Sequence, residues 1–140
     1  MKNLIKLLSV ALALLSFNAQ AELAIVVDPS VKLDSISVEQ LERLYMNRAN
    51  RFPGGVALQA LDQRSGSAQR EAFVSRVLNM SEIEMAVYWS KRMFSGKGRP
   101  PRSVEGDSAV IEKVTKEPGV IGYIDGDSVD DSVKVLLRIP

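Results

Sequence analysis

Apolar positions recur along this chain in two rhythms, and the places where the rhythm changes mark its elements. The stretch "ELAIVVDP" is apolar and β-branched until Pro29 stops it, which predicts a strand. In "SVEQLERLYMN" the spacing becomes helical, with Leu41, Leu44 and Tyr45 on one face; Ser37 and Gln40 form a capping box at its start. "RFPGG" reads as a turn, and Val56 to Asp62 as a second strand with at least one covered face. Ser67 caps a helix from about Ala68 to Asn79 that turns Phe73, Val74, Val77 and Leu78 inward.

Ser81 and Glu84 open the next helix in a second capping box. Ile83, Val87 and Phe94 form one apolar stripe on it, Met85 and Trp89 another, so it is expected to lie sandwiched within the core. "SGKGRPPRS" reads as a loop, and "DSAVIEKVTKEPG" as a short amphipathic helix ended by Pro118-Gly119. "VIGYI" and "VKVLLRI" supply two more strands. The order is strand, helix, strand, three helices, strand, strand, with no internal repeat or low-complexity tract. It predicts a single α/β lobe: a mixed sheet, partly parallel because helices separate most strands, flanked by helices.

Residues 1–21 follow a different logic. Lys2 and Lys6 precede an apolar run from Leu7 to Phe17, and Ala19-Gln20-Ala21 closes it. This is the pattern of a cleaved signal peptide. The run is shorter than the ~20 residues that span a bilayer. Residues 22–140 are then one domain, released outside the cytoplasm.

The chain carries 18 basic and 17 acidic side chains; without Lys2 and Lys6 the balance is 16 against 17. That balance makes no electrostatic case for nucleic acid. There is no cysteine and no histidine. Disulfides, thiol nucleophiles, Ser-His-Asp triads and ordinary zinc or copper sites are thereby excluded. No cofactor, metal ligand or catalytic residue is assigned, and the chain is read as a non-enzyme.

One junction carries chemistry without histidine. In "LDQRSGSAQREAF" a strand turns through Ser65-Gly66-Ser67 into a helix. Such a turn presents free backbone N–H groups, and the helix dipole adds positive potential there. Gly66 lets the backbone approach a ligand, the Ser65 and Ser67 hydroxyls can donate, and Arg64 and Arg70 offer charge-assisted bonds. The five residues form a candidate oxyanion cradle. A plain helix cap at Ser67 is the alternative reading of the same residues.

Other clusters carry less. "SGKGRPPR" lacks the Walker A spacing, so Lys97, Arg99 and Arg102 read as a solvated loop. Asp125, Asp127, Asp130 and Asp131 fail the EF-hand spacing and read as a solvated turn. Tyr88 and Trp89, beside Met85 and Met93, read as core in preference to a sugar platform.

Several segments together resemble the phosphate-type periplasmic solute-binding proteins, the receptors of phosphate ABC transporters. They are "ISVEQLERLYMNRANRFPGGVALQALDQ", "SGSAQREAFVSRVLNMS", "YWSKRMFSGKGRPP" and "EPGVIGYI", covering about Ala24 to Val135. Pro118-Gly119-Val120-Ile121-Gly122-Tyr123 is the most specific piece. The resemblance implies one periplasmic-binding-protein-like lobe that binds inorganic phosphate or a similar oxyanion. It implies a periplasmic location and an ABC transporter permease or membrane sensor as partner. A single lobe leaves one face of its ligand open to water, so weak binding is expected unless the lobe forms a homodimer or docks on a partner.

The chain departs from the family pattern at several points. Its length suits one lobe where the receptors have two. Asn47 stands where the family has glycine, Ser67 where it has threonine, Arg64 lies closer to the loop than the family arginine, and Phe73 is displaced by two residues. The rival readings are an accessory protein-interaction lobe without a ligand and a phosphatase-like hydrolase. The second has no nucleophile–base pair to support it.

Overall fold

A computed structural model describes residues 22–140; the leader read at 1–21 lies outside the described residues. The elements are β1 (Leu23–Val27), α1 (Val38–Tyr45), β2 (Arg51–Phe52), β3 (Val56–Ala57), β4 (Gln59–Gln63), α2 (Ala68–Phe73), α3 (Glu82–Phe94), β5 (Arg102–Val104), α4 (Asp107–Lys116), β6 (Val120–Asp125) and β7 (Lys134–Ile139). α2 runs on into a π-helical turn, Val74–Leu78, closed by left-handed Asn79.

Five strands form one sheet in the order β5-β4-β6-β1-β7, while β2 and β3 make a small separate hairpin. β4 runs parallel to β5 and to β6. β1 runs antiparallel to β6 and to β7. The sheet is mixed and flanked by helices, as the element order predicts.

Alternation along β1 divides the core in two. Leu23, Ile25 and Val27 face one apolar cluster and Ala24 and Val26 the other, since successive side chains leave opposite faces of a strand. The first cluster holds Tyr45 of α1, Phe73 of α2 and Met85 and Trp89 of α3. The second holds Val110 and Val114 of α4. The result is three layers, with α1–α3 on one face and α4 on the other. Gly122 makes the α4 side close: a Cβ there would sit 2.6 Å from Val110 Cγ1.

Capping follows the sequence where it is local. Ser37 and Gln40 form the full reciprocal box. At α3 only half of the second box forms, Ser81 Oγ accepting from the Glu84 N–H. Asn47 has φ 56°, a left-handed conformation that asparagine tolerates far better than most residues. That accounts for asparagine at a glycine position.

Three expectations are corrected. The strand read as Val56 to Asp62 is split at Leu58, its first part in the hairpin and its second, to Gln63, in the sheet. The loop "SGKGRPPRS" contains β5, which its glycines and prolines hid. α3 is not sandwiched: Met85 and Trp89 are buried, but Ile83, Val87 and Phe94 are exposed. Among the described residues no element lies above its outer stripe.

Candidate functional site

The site follows from which way two crossovers leave the sheet. β4 continues through Arg64–Ser67 into α2, on the Tyr45 side. Its neighbour β5 continues through Glu105 and Gly106 into α4, on the opposite side. Between two adjacent parallel strands whose connections part this way, a crevice opens beyond the carboxyl ends, where ligands bind in open α/β sheets. A concavity of about 340 Å³ lies there, lined by Arg64, Ser65, Gly66, Ser67, Glu105 and Gly106.

Each wall ends in a helix start. Ser67 caps α2, its hydroxyl oxygen accepting from the Arg70 N–H at 3.1 Å. Gly106 precedes α4 with no side-chain cap, which leaves the first N–H groups of that helix to solvent or a ligand. Gly66 has φ +96° and open space on its Cβ side, so the turn needs glycine for its backbone. The Arg64 N–H donates to the Val104 carbonyl at 3.1 Å, tying one wall to the other.

The structure brings together four of the five residues read from the sequence and sets the fifth apart. Arg64 Nη1 lies 3.1 Å from Glu105 Oε2, both side chains well exposed. An ion pair of this kind is weak and exchangeable in water. Arg70 does not line the concavity. Its guanidinium is clamped between Asp62, with Nη1 2.5 Å from Oδ2, and Glu82, with Nε 2.9 Å from Oε1 and Nη2 3.1 Å from Oε2.

Behind the loop is a buried polar cluster that the sequence reading missed. Tyr123 donates a short hydrogen bond to Asp62 Oδ1. Gln63 Nε2 donates to the Tyr123 carbonyl and to Asp107 Oδ1, each at 2.9 Å. Asp107 also accepts from the Ser128 hydroxyl at 2.7 Å and the Asp125 N–H at 3.1 Å, so it ties the start of α4 to the end of β6. Phe73 stacks on the Tyr123 ring at 4.1 Å, fixing α2 against β6.

The electrostatics follow from burial. Desolvation pushes the Asp62 carboxyl above its ordinary value, against the opposing pull of Arg70 and of the Tyr123 hydroxyl. Burial, with the Asp62 charge, pushes the Tyr123 phenol far up, so it remains a donor. Burial works to lower Arg70, but Glu82 and Asp62 outweigh it and hold the guanidinium charged.

No family profile matches the chain, and no curated protein matches it in sequence. Solved structures do match. The ABC-type phosphate transport receptor of Vibrio cholerae superposes with a TM-score of 0.65 at 23% identity, covering 84% of this chain and 46% of that one. A protein of Clostridium perfringens described as a phosphate ABC transporter substrate-binding protein, solved with bound phosphate, gives 0.65 at 19%, covering 83% and 45%. PstS of Borrelia burgdorferi gives 0.62 at 19%, covering 83% and 47%. The chain shares the fold of part of these structures.

It spans less than half the length of each of those receptors. Among the described residues no helix is long and apolar enough to cross a membrane, and no cluster of three or more acidic, His or Cys side chains is placed to hold a metal. The acidic turn that follows β6 has a local role. Asp125 Oδ1 accepts from the Asp127 N–H at 2.8 Å, and Asp130 Oδ1 from the Ser132 N–H at 2.9 Å.

Glu105, Gly106 and Asp107 repeat the strand–glycine–helix plan of the first wall. Their signal, "VEGDSAV", was legible. The pattern is weak in sequence because β5 has only three residues and prolines precede it.

Proposed function

We propose that this protein binds an oxyanion, inorganic phosphate, at the crevice between the ends of β4 and β5, without chemical turnover. The observation that carries the reading is the concavity lined by Arg64, Ser65, Gly66, Ser67, Glu105 and Gly106 at the point where the two crossovers part. Ser65 and Ser67 supply hydroxyl donors, Arg64 an exposed cation, and the starts of α2 and α4 supply N–H groups and positive potential. Arg70 acts from behind, holding Asp62 and Glu82 in place.

Glu105 favours phosphate over sulfate in this reading. Phosphate keeps a proton at neutral pH and can donate it to a rim carboxylate; sulfate has none to give, and a carboxylate facing it repels. The receptor would serve uptake or sensing of the anion, handing it to an ABC transporter permease or a membrane sensor. Export with removal of residues 1–21, leaving 22–140 as the periplasmic binding domain, belongs to the same proposal.

Isothermal titration with phosphate, sulfate and a control sugar tests the reading at fixed ionic strength. Binding of phosphate above sulfate and no binding of sugar are expected. Equal, absent or sugar-selective heats would overturn it.

A further inference from the structure

The outer face of α3 carries an apolar stripe that no other described residue covers. Phe94 is 97% exposed, Ile83 79%, and Val87 and Met93 49% each. Ile83, Val87 and Phe94, with the small polar Ser90 between the last two, follow the i, i+4, i+7, i+11 spacing, so they line one side of the helix over three turns. Scattered exposed apolar residues need no explanation, but a contiguous stripe with an aromatic at its end marks a contact surface. We propose that this face docks a second copy of the chain, α3 lying antiparallel on the partner's α3 about a two-fold axis.

The flanking charges choose the occupant. Glu84 and Lys91 sit on one edge of the stripe, two turns apart; Ala86 and Met93 sit on the other. Neither Glu84 nor Lys91 enters an ion pair with another described residue. Glu82, by contrast, is already held by Arg70.

In an isologous antiparallel pair, like edges meet with reversed direction. Centring the axis on the stripe sets Ile83 against the partner's Phe94 and Val87 against the partner's Ser90. Glu84 then faces the partner's Lys91, and Lys91 faces the partner's Glu84. The second edge sets Ala86 near the partner's Met93. A parallel two-fold pair would set this edge against the partner's Ala86 and Met93 and leave both charges without partners. The edge is complementary to its own reversal, and an unrelated acidic or basic helix would satisfy only half of it.

A 13-residue helix is about 20 Å long and cannot by itself supply the ~800 Å² per partner of a standard stable interface. The association belongs to the weak class, with a dissociation constant between about 10 µM and 1 mM.

Sedimentation equilibrium of the purified protein from 10 µM to about 1 mM reads this out. The parent should self-associate. Phe94→Glu should weaken association by about 100-fold, and Lys91→Glu by about 10-fold, because it faces the partner's Glu84. The double exchange Glu84→Lys with Lys91→Glu should restore it, since the reversed edge is again self-complementary. All these positions are exposed, and thermal melts check folding; Val87→Ser stands in if Phe94→Glu misfolds. A protein monomeric at 1 mM would assign the stripe to another occupant and overturn the proposal. So would reversals that leave association unchanged, or a double exchange that fails to rescue a folded protein.

Discussion

Arg70 Nη1 lies 2.5 Å from Asp62 Oδ2 across the turn that joins β4 to α2, with 13% and 6% of the two side chains exposed. The pair locks the helix that follows the candidate anion loop to the strand that precedes it. Arg70→Met would leave the Asp62 carboxylate buried without its cation, which costs about 3–5 kcal/mol. Urea titration at pH 7 should show a loss of that size. A change below about 1 kcal/mol would mean that Arg70 is dispensable to the fold.

The same pair sets a pH dependence. Burial raises the folded Asp62 carboxyl above its ordinary 3.8. The folded state therefore binds more protons than the unfolded state between 3.8 and the raised value, and this contribution to stability falls as pH rises through that window. Removing Arg70 takes away the main pull downward and extends the window upward. The deficit of Arg70→Met relative to the parent should be smaller at pH 4 than at pH 7. An equal deficit at both pH values would contradict the assignment.

Trp89 and Phe94 lie on the same helix with opposite surroundings. Trp89 is 6% exposed within the larger core cluster, and Trp89→Ala should cost about 3–5 kcal/mol. Phe94→Ser at low protein concentration should change stability by no more than about 0.5 kcal/mol. Comparable losses for both in guanidinium titrations would show that the outer stripe is covered.

Gly66 and Gly122 answer to different constraints. Gly66→Ala places a side chain at φ +96° in open space, so only backbone strain of about 1–2 kcal/mol is expected. Gly122→Ala drives a methyl group to 2.6 Å from Val110 Cγ1 and should cost about 1–3 kcal/mol by separating α4 from the sheet. The companion change Val110→Ala should recover part of the second loss and none of the first, as read from thermal melts.

Affinity should follow the walls of the crevice. Arg64→Ala removes one charge-assisted bond at an exposed site, about 1.5 kcal/mol, and should weaken phosphate binding about 10-fold. Glu105→Gln should narrow the preference for phosphate over sulfate. Arg102, paired with Glu117 at 3.3 Å away from the crevice, should change affinity only through salt-sensitive steering when replaced by alanine. If Arg64→Ala folds and binds phosphate as the parent does, Ser65-Gly66-Ser67 is a helix cap and nothing more.

Legibility divides along a physical line. Short-range signals were readable: the Ser37–Gln40 box, the Ser67 cap and the alternating strands are built by residues within four positions of each other. Trp89 was readable as core because Met85 shares its face. In the sequence Asp62 is simply the last residue of a strand-like run. Nothing local says that a carboxylate is buried or that a guanidinium eight residues on will meet it, because that depends on the angle at which α2 returns over β4. Periodicity showed that α3 has two apolar faces, but it carries no information on whether another element lies above either.

Residues 22–140 by themselves determined most of the helices and strands, the α/β layering and the Ser-Gly-Ser turn into a helix at 64–67, since propensity, capping and hydrophobic period act over one or two turns. The tertiary structure decided the second wall of the crevice at Glu105 and Gly106, the diversion of Arg70 to Asp62 and Glu82, and the exposure of Ile83, Val87 and Phe94. Each depends on which face of the sheet a crossover takes, a choice made by packing the whole chain into one core.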